Sequence, residues 1–201
     1  MWWNDLAAMA DALSRLPPHV DSSAQVSPRA IVRGEVRIGA GSRICDGAQL
    51  HGPVSIGRDC LIGNNALLRG PLHIGDGVRI GFASELKNAL IGDGACIGPQ
   101  CFIADSRVDA RAYLGALVRT SNHRLDGATV TVHIGDTVID SQRDKLGAWI
   151  GEGAALGVGV IILPGRIVAP GSQFGPRITV ERNLPPGRYR LLQSLHSQPL
   201  E

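Results

Sequence analysis

The residues best equipped for chemistry fall into a few groups, and their spacing sorts them. Arg69 in LLRGP and Lys87 in ELKN stand eighteen residues apart. A guanidinium fork beside an ammonium suits a single bound anion. His123, next to Asn122 in TSNHRLDG, offers an imidazole that can take a proton near neutral pH. Glu85 and Asp105 are carboxylates that could accept a proton as well; their plainer role is that of solvated corner charges. His51, His73 and His133 differ in phase: His51 follows an aliphatic position of the chain's repeat and His73 precedes one. They point to different faces, whereas a zinc centre needs convergent nitrogens, so no metal site is expected. Cys45, Cys60, Cys96 and Cys101 lack C-x-x-C spacing and read as reduced, mostly structural thiols.

The element that must position these groups is a repeat. In steps of six from Val20 the chain reads Val20, Val26, Val32, Ile38, Ile44, Leu50, Ile56, Ile62, Leu68, Ile74, Ile80 and Leu86. All are aliphatic, glycine often follows, and a small residue usually stands four places on, as at Ala48, Cys60 and Ala66. Neither helix nor flat sheet has a period of six, but a three-sided solenoid does, with one short strand and one turn per hexad. Residues eighteen apart then stack, which puts Arg69 and Lys87 on successive coils at one corner. Each coil buries its edges on its neighbours, so stability is nearly a sum over coils, and each buried aliphatic contributes roughly 1.5–3 kcal/mol.

The register slips by one residue at Ile91, Ile97 and Ile103 and again at Val108 and Leu114. Slips of this kind make bulges at one corner, and bulges re-aim side chains. The period fails over residues 120–146, where alternation around Gly135-Asp136 predicts a protruding β-hairpin. It returns at Ile150, Leu156, Ile162, Val168, Phe174 and Val180. Ahead of the repeat, Leu6, Met9, Leu13 and Leu16 form one apolar helical stripe. Asn4 is placed to cap that helix, and its expected role is to cover the open first coil. The divisions are therefore a capping helix over 1–17, a solenoid over 18–185 and a tail over 186–201.

Composition narrows the function. A net charge of +2 with scattered Lys and Arg gives no footing for nucleic acid. No apolar run is long enough to span a membrane, and the N-terminus has no secretion-signal pattern, so a cytoplasmic protein is expected.

The hexad pattern resembles the left-handed parallel β-helix family of acyltransferases, and the expected fold class is all-β of that type. The resemblance implies acetyl-CoA or another acyl-CoA as co-substrate and a homotrimer with sites between subunits. Two stretches narrow it: SELKNALIGDGACIGPQCFIADS, from Ser84 to Ser106, and QRDKLGAWIGEGAALGVGVIILPG, from Gln142 to Gly165. Both are similar to the C-terminal acetyltransferase domain of bifunctional sugar-1-phosphate nucleotidylyltransferase/glucosamine-1-phosphate N-acetyltransferases, archaeal versions included. By that resemblance Arg69 and Lys87 hold the sugar phosphate, Asn122 matches an asparagine of the insertion loop, Tyr113 takes the substrate-binding place of a family asparagine, and Ala116, Gly157 and Gly175 lie along the CoA arm. The family's catalytic histidine falls on Pro99 and the tyrosine after it on Phe102. Proline cannot take a proton, which leaves His123 as the candidate base. The function implied is an acyl-CoA-dependent N-acyltransferase for a phosphorylated or nucleotide-linked amino sugar. The alternative is an inactive solenoid that regulates or oligomerises a separate nucleotidylyltransferase. The scattered histidines weigh against a γ-carbonic-anhydrase-like zinc solenoid.

Overall fold

The computed structural model describes residues 1–192, and the remainder of the tail lies outside the described residues. From His19 onward the chain is a parallel solenoid with three ladders. The first face carries Ile31–Arg33, Gln49–His51, the first halves of Leu67–Ile74, Glu85–Ile91 and Phe102–Val108, then Arg119–Thr120, Ile161–Ile162 and Thr179–Val180. The three long strands turn the corner unbroken and supply the second face with their second halves. The third face is a separate nine-stranded sheet that runs from Gln25–Val26 to Arg188–Tyr189.

The six-residue period is the cause of this shape. Val32 pairs with Leu50, Leu50 with Leu68 and Leu68 with Leu86, and from Leu50 onward these side chains are buried. Successive coils approach so closely at the corners that a Cβ on Gly81 would sit 2.5 Å from the Pro99 nitrogen. The small inward positions are polar where they can reach across a corner. Ser84 Oγ donates to the Gly98 carbonyl at 2.8 Å, and the Cys101 thiol donates to that of Gly115 at 3.2 Å. Cys60 does the same to Gly75 at 3.0 Å. Burial pushes the Cys60 and Cys101 thiols up from their ordinary pKa.

Both register slips fall where the first face turns into the second. Earlier coils make that turn with two residues, Gly52-Pro53 and Gly70-Pro71, whereas the next two make it with one, Asn88 and then Asp105. A one-residue corner needs left-handed backbone, and φ is +44° at Asn88 and +49° at Asp105. Asn and Asp tolerate that region better than most residues.

The helix spans Trp2–Leu13, so Asn4 lies inside it and gives no side-chain cap. Leu6, Met9 and Leu13 are buried as the stripe predicts, while Leu16 is exposed. The helix does not roof the first coil, whose Val20, Val26 and Val32 remain 51%, 36% and 42% exposed. It packs on the outside of the tube, against Leu67–Ile74, Glu85–Ile91 and Phe102–Val108. Trp2, Trp3 and Leu6 make a second core with Val130, Val132 and Leu146 of the insertion. Arg107 locks the helix down: it pairs with Asp5, donates to Asp109 at 2.7 Å and lies over the Trp149 ring.

The insertion forms the expected hairpin, Thr131–Ile134 against Thr137–Asp140. It is not free-standing, because Val132 is buried on the helix and tube. Arg188–Tyr189 adds a strand to the third face, and Tyr189 stacks on Phe174 at 4.8 Å between centroids.

Candidate functional site

Arg69 and Lys87 are direct partners in the parallel ladder of the first face, as the eighteen-residue interval requires. Glu85 Oε1 accepts a hydrogen bond from Arg69 Nη1 at 2.7 Å. Glu85 is thus the counter-ion of that arginine, through one of its two oxygens. Lys87 Nζ lies 3.9 Å from Asp105 Oδ2.

Asp105 is the hub of the site. Its side chain is 7% exposed. It accepts from Asn88 Nδ2 at 2.6 Å on one oxygen and from Asn122 Nδ2 at 2.6 Å on the other. The two one-residue corners explain the first bond, since they stack Asn88 directly beneath Asp105. The path of the chain explains the second. The insertion leaves the tube after Arg119–Thr120 and returns at Gly147, whose N–H donates to the Asp105 carbonyl at 2.8 Å. Both feet of the insertion therefore stand on Asp105.

His123 follows Asn122 and is exposed. Its Nδ1 is 3.2 Å from the Asp144 carbonyl. A carbonyl has no proton to give, so Nδ1 must be the donor there. In the neutral ring Nε2 is then left with a lone pair, the tautomer that a general base needs. His123 also bridges Lys145 across the foot of the insertion, and the Leu146 N–H donates to the Asn122 carbonyl at 2.9 Å.

The other residues assigned by resemblance fall elsewhere on the molecule. Tyr113 is on the third face, between Cys96 and Ala155, not beside Arg69 and Lys87. With Gly157, Phe174, Gly175 and Tyr189 it lines a groove of about 510 Å³. Ala116 sits on the corner that joins the third face to the first, level with Pro99 of the preceding coil, and its carbonyl accepts from the Gly159 N–H at 2.8 Å. Pro99 occupies the same corner column, where its carbonyl accepts from the Leu117 N–H at 3.0 Å. Within one chain, Arg69, Lys87 and Asn122 thus come together, as do Tyr113, Gly157 and Gly175, on different faces. His73 lies on the second face, and burial pushes its imidazole below the ordinary pKa while Asp93 and Asp76 oppose that shift. Among the described residues no group of three or more metal-ligating side chains is assembled. Nor is any helix among them long and apolar enough to cross a membrane.

Sequence reasoning missed the pairing of Asp105 with both asparagines. The signal was available: Asp105 and Asn88 are the residues at which the register slips.

Comparison with known proteins agrees with the repeat. Residues 35–70 match the bacterial transferase hexapeptide (six repeats) family. The YaiX proteins of Escherichia coli K12 and O6:K15:H31, both named as uncharacterized acetyltransferases, are 53% and 52% identical over 203 residues. Each alignment covers 96% of this chain and 88% of the relative. A bifunctional sugar-1-phosphate nucleotidylyltransferase/acetyltransferase of Sulfurisphaera tokodaii is 32% identical over 111 residues, 55% of this chain and 28% of that protein. Among solved structures, the acetyltransferase domain of PglB from Neisseria gonorrhoeae, in complex with acetyl coenzyme A, is 24% identical with a TM-score of 0.30. That match covers 58% of this chain and 60% of the other.

Proposed function

We propose, from the premise that this chain belongs to the YaiX family of hexapeptide-repeat acetyltransferases, that it is an acyl-CoA-dependent N-acyltransferase acting on a phosphorylated amino sugar. The observation that carries this reading is the join at Asp105. One side chain ties the row that holds Arg69 and Lys87 to the insertion that holds Asn122 and His123.

In this reading Arg69 and Lys87 grip the phosphate of the acceptor, which displaces part of the Glu85 contact. The acceptor's amine then lies toward Asn122 and His123. The amine nitrogen attacks the thioester carbonyl, the C–N bond forms and the C–S bond breaks. The amine proton passes to His123 Nε2, and the CoA thiolate leaves and takes up a proton. A positioned base contributes about 10²–10⁴-fold in rate. Gly157 and Gly175 border the groove assigned to the acyl carrier, with Tyr113 as part of its wall, and Ala116 stands on the corner that follows the third face. Because those residues and Arg69 stand on different faces of one chain, a homotrimer would complete each site by setting the first face of one subunit against the third face of the next.

The test is release of free thiol over a panel of acyl-CoAs and phosphorylated amino sugars. Arg69→Ala should raise KM for the phosphorylated acceptor with little change in KM for acyl-CoA. His123→Ala should lower kcat by about 10²-fold or more. No thiol release across the panel would sink the proposal.

A further inference from the structure

On the first face, the residue after each inward aliphatic is Arg33, then His51, Arg69 and Lys87 on consecutive coils, in direct ladder register. Rungs of a sheet are about 4.8 Å apart, so the row is roughly 14 Å long. Like charges directly opposite on neighbouring strands are destabilising, and this row is neutralised over half its length only. Glu85 serves Arg69 and Asp105 serves Lys87. Among the described residues the Arg33 side chain has no ion pair or hydrogen bond, and Glu35, two residues on, pairs with nothing in the row. His51 Nε2 is shielded from water and has no hydrogen-bond partner. An unsatisfied buried polar group costs about 1–3 kcal/mol.

At one end of the row an exposed guanidinium and a shielded imidazole nitrogen both lack partners among the described residues, and together they offer donors to an anion from outside. Arg69 and Lys87 are enough for one phosphate, and the row continues for two more rungs. We infer that His51 and Arg33 form a second anion subsite, continuous with the first, and that the acceptor therefore carries a diphosphate in place of a single phosphate ester. With the imidazole turned outward, its N–H satisfies a phosphate oxygen and the Arg33 fork takes the outer phosphate. The order along the tube axis is consistent. The amine end meets Asp105, Asn122 and His123, and the diphosphate trails toward the first coil, away from Gly157 and Gly175. The class of acceptor is then a nucleoside-diphosphate-type amino sugar. This inference rests on the proposed function for the amine end alone, because the anion subsite can be tested without acyl transfer.

The experiment is titration calorimetry on the full chain at fixed ionic strength, with inorganic phosphate, inorganic pyrophosphate, UMP and UDP as probes. Pyrophosphate and UDP should bind at least about tenfold more tightly than phosphate and UMP, about 1.4 kcal/mol. In Arg33→Ala/His51→Ala that preference should shrink to within about threefold, while Arg69→Ala weakens all four probes. Arg79→Ala, an exposed cation on the third face, controls for general charge and should change nothing. The inference is overturned if the preference survives in the double variant, if Arg79→Ala removes it equally, or if the wild-type chain binds phosphate and pyrophosphate alike or not at all. Thiol release separates the two ideas. Activity with sugar monophosphates and no diphosphate preference removes the subsite and keeps the N-acyltransferase. A preference that depends on Arg33 and His51, with no thiol release from any acceptor, does the reverse.

Discussion

Replacing Asp105 with Asn tests the hub directly. Asn is nearly isosteric and tolerates the φ of +49° at this corner, so backbone strain does not confuse the result. The carboxylate accepts two bonds at 2.6 Å, one on each oxygen. In the variant one of those oxygens becomes an NH2 group that faces another NH2 group. A hydrogen bond to a charged group contributes about 1.5–3 kcal/mol, and one is lost outright. Lys87, 3.9 Å away and 27% exposed, loses its counter-charge. A pair at that separation interacts by about 1 kcal/mol in water and about 4 at an effective dielectric of about 20. Screening of the partly exposed ammonium holds the share to about 1 kcal/mol. The sum is about 3 kcal/mol, and its effect should be local, since coils of a solenoid are coupled mainly to their neighbours. Amide hydrogen exchange reads it at Leu146, bonded to the Asn122 carbonyl, and at Gly147, bonded to the Asp105 carbonyl. Both should exchange about 100-fold faster, because each 1.4 kcal/mol is a factor of ten. The Gly63 amide, bonded to the Ile80 carbonyl, should not move. Protection at Leu146 and Gly147 within about twofold of wild type would refute the assignment of Asp105 as the join.

Three further outcomes follow from the packing. Trp3→Ala removes a ring that is 5% exposed from the core shared by helix and insertion; it should cost that unit about 3–5 kcal/mol. Exchange across 120–146 should quicken while the remote coils hold. The depressed imidazole of His73 should make stability fall as pH drops below about 6.5. In that window the unfolded chain takes a proton that the folded chain refuses. Above it both forms are neutral and the effect vanishes, so His73→Gln should flatten the slope of denaturation midpoint against pH. Cys60 and Cys101 are buried with raised pKa, whereas Cys45 and Cys96 are partly exposed. A thiol reagent should label the second pair in native protein and reach the first only on unfolding.

The tube was legible because a short period leaves few alternatives. Twelve aliphatic positions in phase fix which side chains stack, and Arg69 on Lys87 followed from counting alone. The two slips announced the corner where Asn88 and Asp105 meet. Placement of the helix was not legible. Its apolar stripe says that a face is buried, but several surfaces could bury it, and Trp2 and Trp3 pack with Val130, Val132 and Leu146 of the insertion and not on the first coil. Tyr113 shows a second limit. A residue matched by resemblance carries a role but not a face, and the ladder sets it beside Ala155, one side of the tube away from Arg69. Asn4 shows a third, for a capping residue type does nothing when apolar contacts start the helix at Trp2.

The bare first coil has a consequence for how this molecule can be altered. Its strands His19–Val20, Gln25–Val26 and Ile31–Arg33 each find a partner on one flank only, so that end works like the last tread of an unfinished staircase. A grafted block of eighteen residues in phase with Val20 would give Val20, Val26 and Val32 the neighbours they lack and lengthen the column. Asp105 and the asparagines it joins, several treads deeper, would keep their geometry. Length here is a variable open to engineering, separable from chemistry.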